Sequence, residues 1–200
     1  MGFLTVIELI TNHIHYVANI SYHEVIEAEE NFYHLLKSYW KEHVFLTARW
    51  WFLLGLAGIP AAIWWKLVDK KIVIEITAYG LFYGVAAIIL DSIGTSLLLW
   101  TYPVIISPNL FPQIYPYDVG VIIVPFMLIY QKWGKTIKSF WKASGILSLS
   151  IAYIAEPFMI WIDVYKPFTW KHIYSFPIYW LLAILCWYIL NYFKYLEQNR

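Results

Sequence analysis

From residue 44 onward, long apolar runs alternate with short polar breaks that carry lysine. About 20 apolar residues are needed for a helix to cross about 30 Å of hydrocarbon. Five stretches meet or approach that length, 44–65, 72–100, 117–133, 140–161 and 173–195. The expected fold class is an all-α membrane protein, a five-transmembrane-helix bundle over 44–200.

Residues 1–43 pattern differently. Phe3, Ile7, Ile10, Ile14 and Val17 share one helical stripe, with Glu8, Asn12, His15 and Asn19 opposite. That is the pattern of an amphipathic helix lying in the membrane interface. It is too polar for the core of a signal peptide, so no cleavage is expected. Ser21-Tyr-His-Glu24 reads as a capping box that starts a second helix, rich in glutamate. The domain reading is thus an amphipathic N-terminal helical region at 1–43, then the bundle.

Lysines between the first and second spans (Lys66, Lys70, Lys71), between the third and fourth (Lys132, Lys135, Lys138, Lys142), and Lys194 and Arg200 after the fifth set the orientation. The positive-inside bias puts these segments in the cytoplasm, leaving the N-terminus outside and the C-terminus cytoplasmic in a cell membrane. Trp50, Trp51, Trp64, Trp65, Trp100, Trp133, Trp161 and Trp170 near the span ends read as interfacial belts.

Composition agrees: 61% of the 200 residues are hydrophobic, 20% aromatic and 14% charged, far from a soluble average. Net charge +1 with two arginines offers no basic stripe, so nucleic acid is not an expected partner; the lipid bilayer is. Cys186 is alone in an apolar run and reads as a buried hydrophobe. The histidines share no ligand spacing, so neither a metal site nor a cofactor is implied.

Acids inside the spans carry the candidate chemistry, since a carboxylate at bilayer depth costs about 2.5–3.5 kcal/mol on insertion scales and faces a bundle interior. Asp91, Glu156 and Asp118 qualify. Counting about 1.5 Å per residue along their helices puts all three in the outer part of the bilayer. Gly80, Gly84, Ala87, Asp91 and Gly94 recur at steps of four, three, four and three, on one helical face. Gly145, Ser148, Ala152 and Glu156 repeat the arrangement. The expectation is that spans two and four cross tightly through these small residues and open outward into a crevice lined by Asp91 and Glu156. The Gly80–Gly84 GxxxG face also suits a homo-oligomer. Pro157 removes a helical hydrogen bond after Glu156 and predicts a kink there. The outer loop 101–116 carries four prolines and is expected to be stiff, either a lid over the crevice or a short tether. Glu75, one turn from Lys71, predicts an interfacial ion pair.

The runs Trp50-Trp51-Phe-Leu-Leu to Pro60, Trp64-Trp65-Lys66-Leu-Val-Asp69-Lys70-Lys71, Leu90-Asp91, Tyr102-Pro103, Pro116-Tyr-Asp118, Ala155-Glu156-Pro157 and Trp170-Lys171-His172-Ile-Tyr174-Ser-Phe-Pro177 resemble an uncharacterised multi-pass membrane protein family of Gram-positive spore-formers. The resemblance covers roughly residues 44–180 and implies a multi-pass protein of the cell membrane. No activity or site residue comes with it.

The functional expectation is an outer-leaflet pocket that binds or transforms an apolar, lipid-like molecule such as an isoprenoid by acid–base chemistry. Asp91 and Glu156 would serve as acid and base and Asp118 as their orienting partner. Trp100, Tyr102, Asn109, Tyr117, Tyr153 and Trp161 would supply the substrate-binding wall, with aromatic faces stabilising a developing cation. In its ingredients this is similar to small membrane-bound terpene cyclases. The alternatives are a proton- or cation-coupled transporter and a non-catalytic membrane interaction protein. The plainest reading of the acids is as interhelical hydrogen-bond partners worth about 0.6 kcal/mol each.

Overall fold

The structure, a computed structural model, describes residues 21–110 and 118–199. The chain forms two compact units, Met1–Glu42 and His43–Arg200. The stripe at residues 3–17 lies outside the described residues. In the first unit, helix α1 (Tyr22–Tyr39) starts on the expected capping box: Ser21 Oγ accepts from Glu24 N–H, and Ser21 N–H donates to Glu24 Oε2 at 2.6 Å. A π-helical turn, Trp40–Val44, follows.

The second unit is helical, with four helices long and apolar enough to cross a membrane. They are α2 (Ala48–Leu67), α3 (Val73–Ser96), the composite Ile137–Trp161 and α7 (His172–Gln198). The remaining apolar stretch is the shorter helix Gly120–Trp133, which takes in most of a π-helical turn, Asp118–Ile123, and all of α4 (Val124–Trp133). The composite is α5 (Ile137–Ser150), a π-helical turn at Ile151–Ala155, and α6 (Glu156–Trp161).

The π turns at Asp118–Ile123 and Ile151–Ala155 each stand just before a proline, Pro125 and Pro157, in the first turn of the next helix. Proline has no N–H to give to the carbonyl four residues back. The chain meets that loss by widening the turn, with Glu156 N–H reaching Ile151 O five residues back. The expected break at Pro157 is therefore a widened turn placed immediately ahead of Glu156.

The small-residue faces pack, but on other partners than expected. A Cβ on Gly80 would lie 2.5 Å from Met127 Sδ and one on Gly84 2.9 Å from Ile123 Cδ1. The Gly80–Gly84 face is thus filled from within the chain by the 118–133 segment. Gly145 faces the Trp180 ring of α7. The two faces do not cross each other, because each helix meets a bulky side chain from a neighbouring segment. Along the same core Tyr79 stacks on Tyr130 at 4.5 Å and Tyr83 on Phe126 at 4.6 Å between ring centroids.

Two ends can be told apart. At one, Glu75 Oε1 accepts from Tyr130 Oη at 2.6 Å and from Lys194 Nζ at 2.7 Å, while Gln131 Nε2 donates to Leu67 O. The expected Glu75–Lys71 pair is not made: α3 starts at Val73, so Lys71 precedes the helix and the one-turn relation fails. At the other end Arg49 pairs with Asp163 at 2.7 Å.

That second end is shaped by two matching helix exits. Leu98 and Asp163 adopt positive φ, 51° and 58°. After each, a backbone N–H reaches back five residues, Leu99 to Gly94 O and Val164 to Met159 O, both at 2.9 Å. This is the left-handed C-terminal cap usually given to glycine. The exits then pair as short antiparallel strands, β1 (Trp100–Thr101) with β2 (Lys166–Pro167).

Gly120 sits where a Cβ would collide with the Leu56 carbonyl oxygen, a backbone atom that cannot swing aside, whereas nothing lies within 4 Å of a Cβ on Gly58. Overpacking of this kind costs about 1–3 kcal/mol. Gly120→Ala is expected to lose that much in reversible unfolding in mixed micelles, and Gly58→Ala to be neutral or to gain up to about 1 kcal/mol from helix propensity. Equal stability of the two variants would contradict this packing.

Candidate functional site

The cap at Leu98 turns the chain back over the last turn of α3, so that Trp100 lies on Gly94, where any Cβ would enter the indole ring. From there Trp100 Nε1 donates to Asp91 Oδ1 at 2.8 Å, and Tyr102 Oη donates to the same oxygen at 2.5 Å. Asp91 is 7% exposed. Its other oxygen, Oδ2, is buried and has no hydrogen-bond partner among the described residues. Buried polar atoms in that state are uncommon enough to need a reason.

Glu156, 2% exposed, is held by α7. Tyr179 Oη donates to Oε1 and His172 Nδ1 lies against Oε2, both at 2.7 Å. With Glu156 ionised, Nδ1 carries the proton of that bond. The His172 side chain is one third exposed and so connects a buried carboxyl to the surface.

Asp91 and Glu156 line one cavity of about 190 Å³. Its polar and aromatic wall is Trp100, Tyr102, Tyr165, Trp170, Ser175 and Tyr179; Ala87, Gly94, Ile122 and Leu182 supply apolar surface. Trp100 and Trp170 meet edge to face at 4.8 Å, and Trp170 Nε1 donates to Ser175 Oγ at 2.8 Å. Burial foremost, then the charges of Glu156 and Asp91, hold the Tyr165 phenol well above its ordinary value, so it remains a donor. Tyr165 therefore stands within the field of both acids.

Of the residues singled out in the sequence, Asp91, Glu156, Trp100 and Tyr102 come together here. The backbone of Asp118 begins the π turn that carries Ile122 to the cavity; its side chain and Tyr117 lie outside the described side chains. Three assignments are corrected. Trp161 is 79% exposed, because five residues at about 100° each put it on the opposite face from Glu156. Tyr153 is 49% exposed; it lies in the π turn, which advances less per residue than an α-helix and spoils the three-residue step toward Glu156. Asn109 is exposed and absent from the cavity wall, since Val104, Ile105 and Pro108 are the loop residues that turn inward. Trp50 Nε1 pins that loop through Ile106 O at 3.0 Å.

Tyr165, Trp170, His172, Ser175 and Tyr179 were not among the site residues expected from sequence. A signal was present: His172, Ser175, Tyr179 and Leu182 recur at steps of three, four and three, the same spacing that marked Asp91.

Comparison with protein-family models, curated proteins and solved structures returns no match.

Donors on a buried carboxyl are each worth about 1.5–3 kcal/mol. Tyr102→Phe is expected to destabilise by that amount. In a double-mutant cycle with Asp91→Asn the losses should fall short of additivity by at least about 0.5 kcal/mol. Strict additivity in micellar unfolding would mean the bond does not stabilise the fold.

Proposed function

We propose that this is a multi-pass protein of the cell membrane whose outer-end chamber binds an apolar, lipid-like molecule and acts on it by acid–base chemistry. The observation that carries the reading is the Asp91 carboxyl, half satisfied, in the wall of a mostly aromatic and aliphatic cavity shared with Glu156. Asp91 meets the polar group of the ligand. Glu156 and His172 form the proton-handling pair, with the partly exposed ring exchanging protons with water and the buried carboxyl exchanging them with the ligand.

The lining of the cavity supports a ligand that arrives from the lipid. Leu90 and Ile93 line it and are also exposed on the side of α3, which is hydrocarbon-facing in a membrane. Five crossings, with the N-terminus outside and the C-terminus cytoplasmic, fit the lysine distribution. They also fit the 118–133 segment, which has Ile122 at the chamber and Tyr130 on Glu75 at the opposite end.

Extraction of the purified protein, followed by mass spectrometry of the extract, tests the reading. Wild-type protein is expected to bring an apolar molecule from its membrane, and Asp91→Asn and Glu156→Gln to retain about tenfold less, a loss of about 1.4 kcal/mol in binding, with helix content unchanged. The same molecule at undiminished stoichiometry in both variants would sink the proposal.

A further inference from the structure

The chamber has a preferred sign of charge. Among the described residues its lining holds no lysine or arginine, but two carboxyls and three phenols. Both donors that reach Asp91 converge on Oδ1, leaving Oδ2 without one. An anionic ligand would face two acids, with a basic side chain, His172, only beside Glu156 among the described residues and none beside Asp91. A neutral hydroxyl could satisfy Oδ2 but would leave the aromatic wall without a role. A cation uses both, since indole and phenol faces attract positive charge electrostatically, most strongly where water is excluded.

Size separates the head of the ligand from the rest. The cavity, about 190 Å³, exceeds the roughly 150 Å³ that takes up a benzene molecule in a dry protein interior. A compact head group with a few carbons fits; a whole lipid does not. The remainder must leave past Leu90 and Ile93, the lining residues exposed on the lipid side.

We propose that the ligand is an amphiphilic cation: an alkylated ammonium head seated between Asp91 and the rings of Trp100, Trp170 and Tyr165, with its apolar chain running out between Leu90 and Ile93. The inference rests on the reading of the chamber as a ligand site and adds the charge of the ligand to it.

The probes are tritiated hexyltrimethylammonium and its uncharged carbon isostere, 2,2-dimethyloctane, each equilibrated by dialysis with the full chain in neutral maltoside micelles. Protein-free micelles give the baseline. Wild-type protein is expected to bind the ammonium at least about tenfold more tightly than the isostere, and Asp91→Asn to remove that preference while still binding the isostere. Should Asp91→Asn aggregate on size exclusion, Trp170→Leu makes the same test through the ring face and is expected to reduce the preference. Equal binding of the two probes by wild-type protein overturns the cationic ligand and leaves the apolar chamber standing. Binding of neither above baseline overturns the chamber as a ligand site altogether.

Discussion

A carboxyl buried among apolar side chains needs hydrogen-bond donors, and the way this chain supplies two of them to one oxygen of Asp91 organises the end of the bundle that holds it. Insertion of such a group costs about 2.5–3.5 kcal/mol, while each donor to a charged acceptor returns about 1.5–3 kcal/mol. Two donors therefore suffice to hold the acid in place. They come from residues 100 and 102, directly after the helix that carries the acid. For so short a connection to reach back, the chain must reverse within a few residues. It does so at Leu98 by accepting the left-handed conformation, a strain of order 1–2 kcal/mol for a residue with a side chain. Gly94 then leaves room for the indole against the helix.

The same device appears at α6, where Asp163 is the left-handed residue. Because both exits turn in the same manner, their strands pair, with Phe168 N–H also donating to Leu99 O at 2.9 Å. The pairing fixes Trp100 relative to the segment that leads to Trp170 and His172. The donors of one acid are thereby tied to the donors of the other. The π turn at Ile151–Ala155 serves the same end from the helix side. Proline frees a carbonyl, the widened turn absorbs it, and Glu156 emerges in register with His172 and Tyr179 of α7.

Much of this was legible as pattern. Apolar run length marked the four long helices, and the three-and-four spacing around Asp91 and Glu156 identified the inward faces on which both are buried. Pairing was not legible. A glycine stripe says that something comes close but not what, so Gly80 and Gly84 gave no hint that Met127 and Ile123 would fill them. Orientation failed where helical periodicity failed: Tyr153 lies in the widened turn ahead of Pro157 and is exposed rather than on the wall. His172 looked isolated because its partner lies sixteen residues back, across a turn whose reversal depends on a positive φ at Asp163, which no propensity rule assigns to aspartate in advance. The glutamate at 75 shows the same limit, since its partner Lys194 is 119 residues away.

The proposed ligand site has a consequence for selectivity. A site entered from bulk water must strip a charged ligand of its hydration shell, whereas one entered past Leu90 and Ile93 receives molecules whose chains already reside in lipid. Burial of the chain then contributes little, because it exchanges one apolar environment for another. Discrimination falls to the head group, and within the chamber that means the acids and rings acting at low dielectric, where charge interactions are strongest. A small chamber suits the proposed ligand, since volume beyond the head would add contacts that hydrocarbon already provides. Trp170, held by Ser175 and packed against Trp100, keeps the ring geometry fixed, so that the proposed ligand would meet preformed walls rather than order them on arrival.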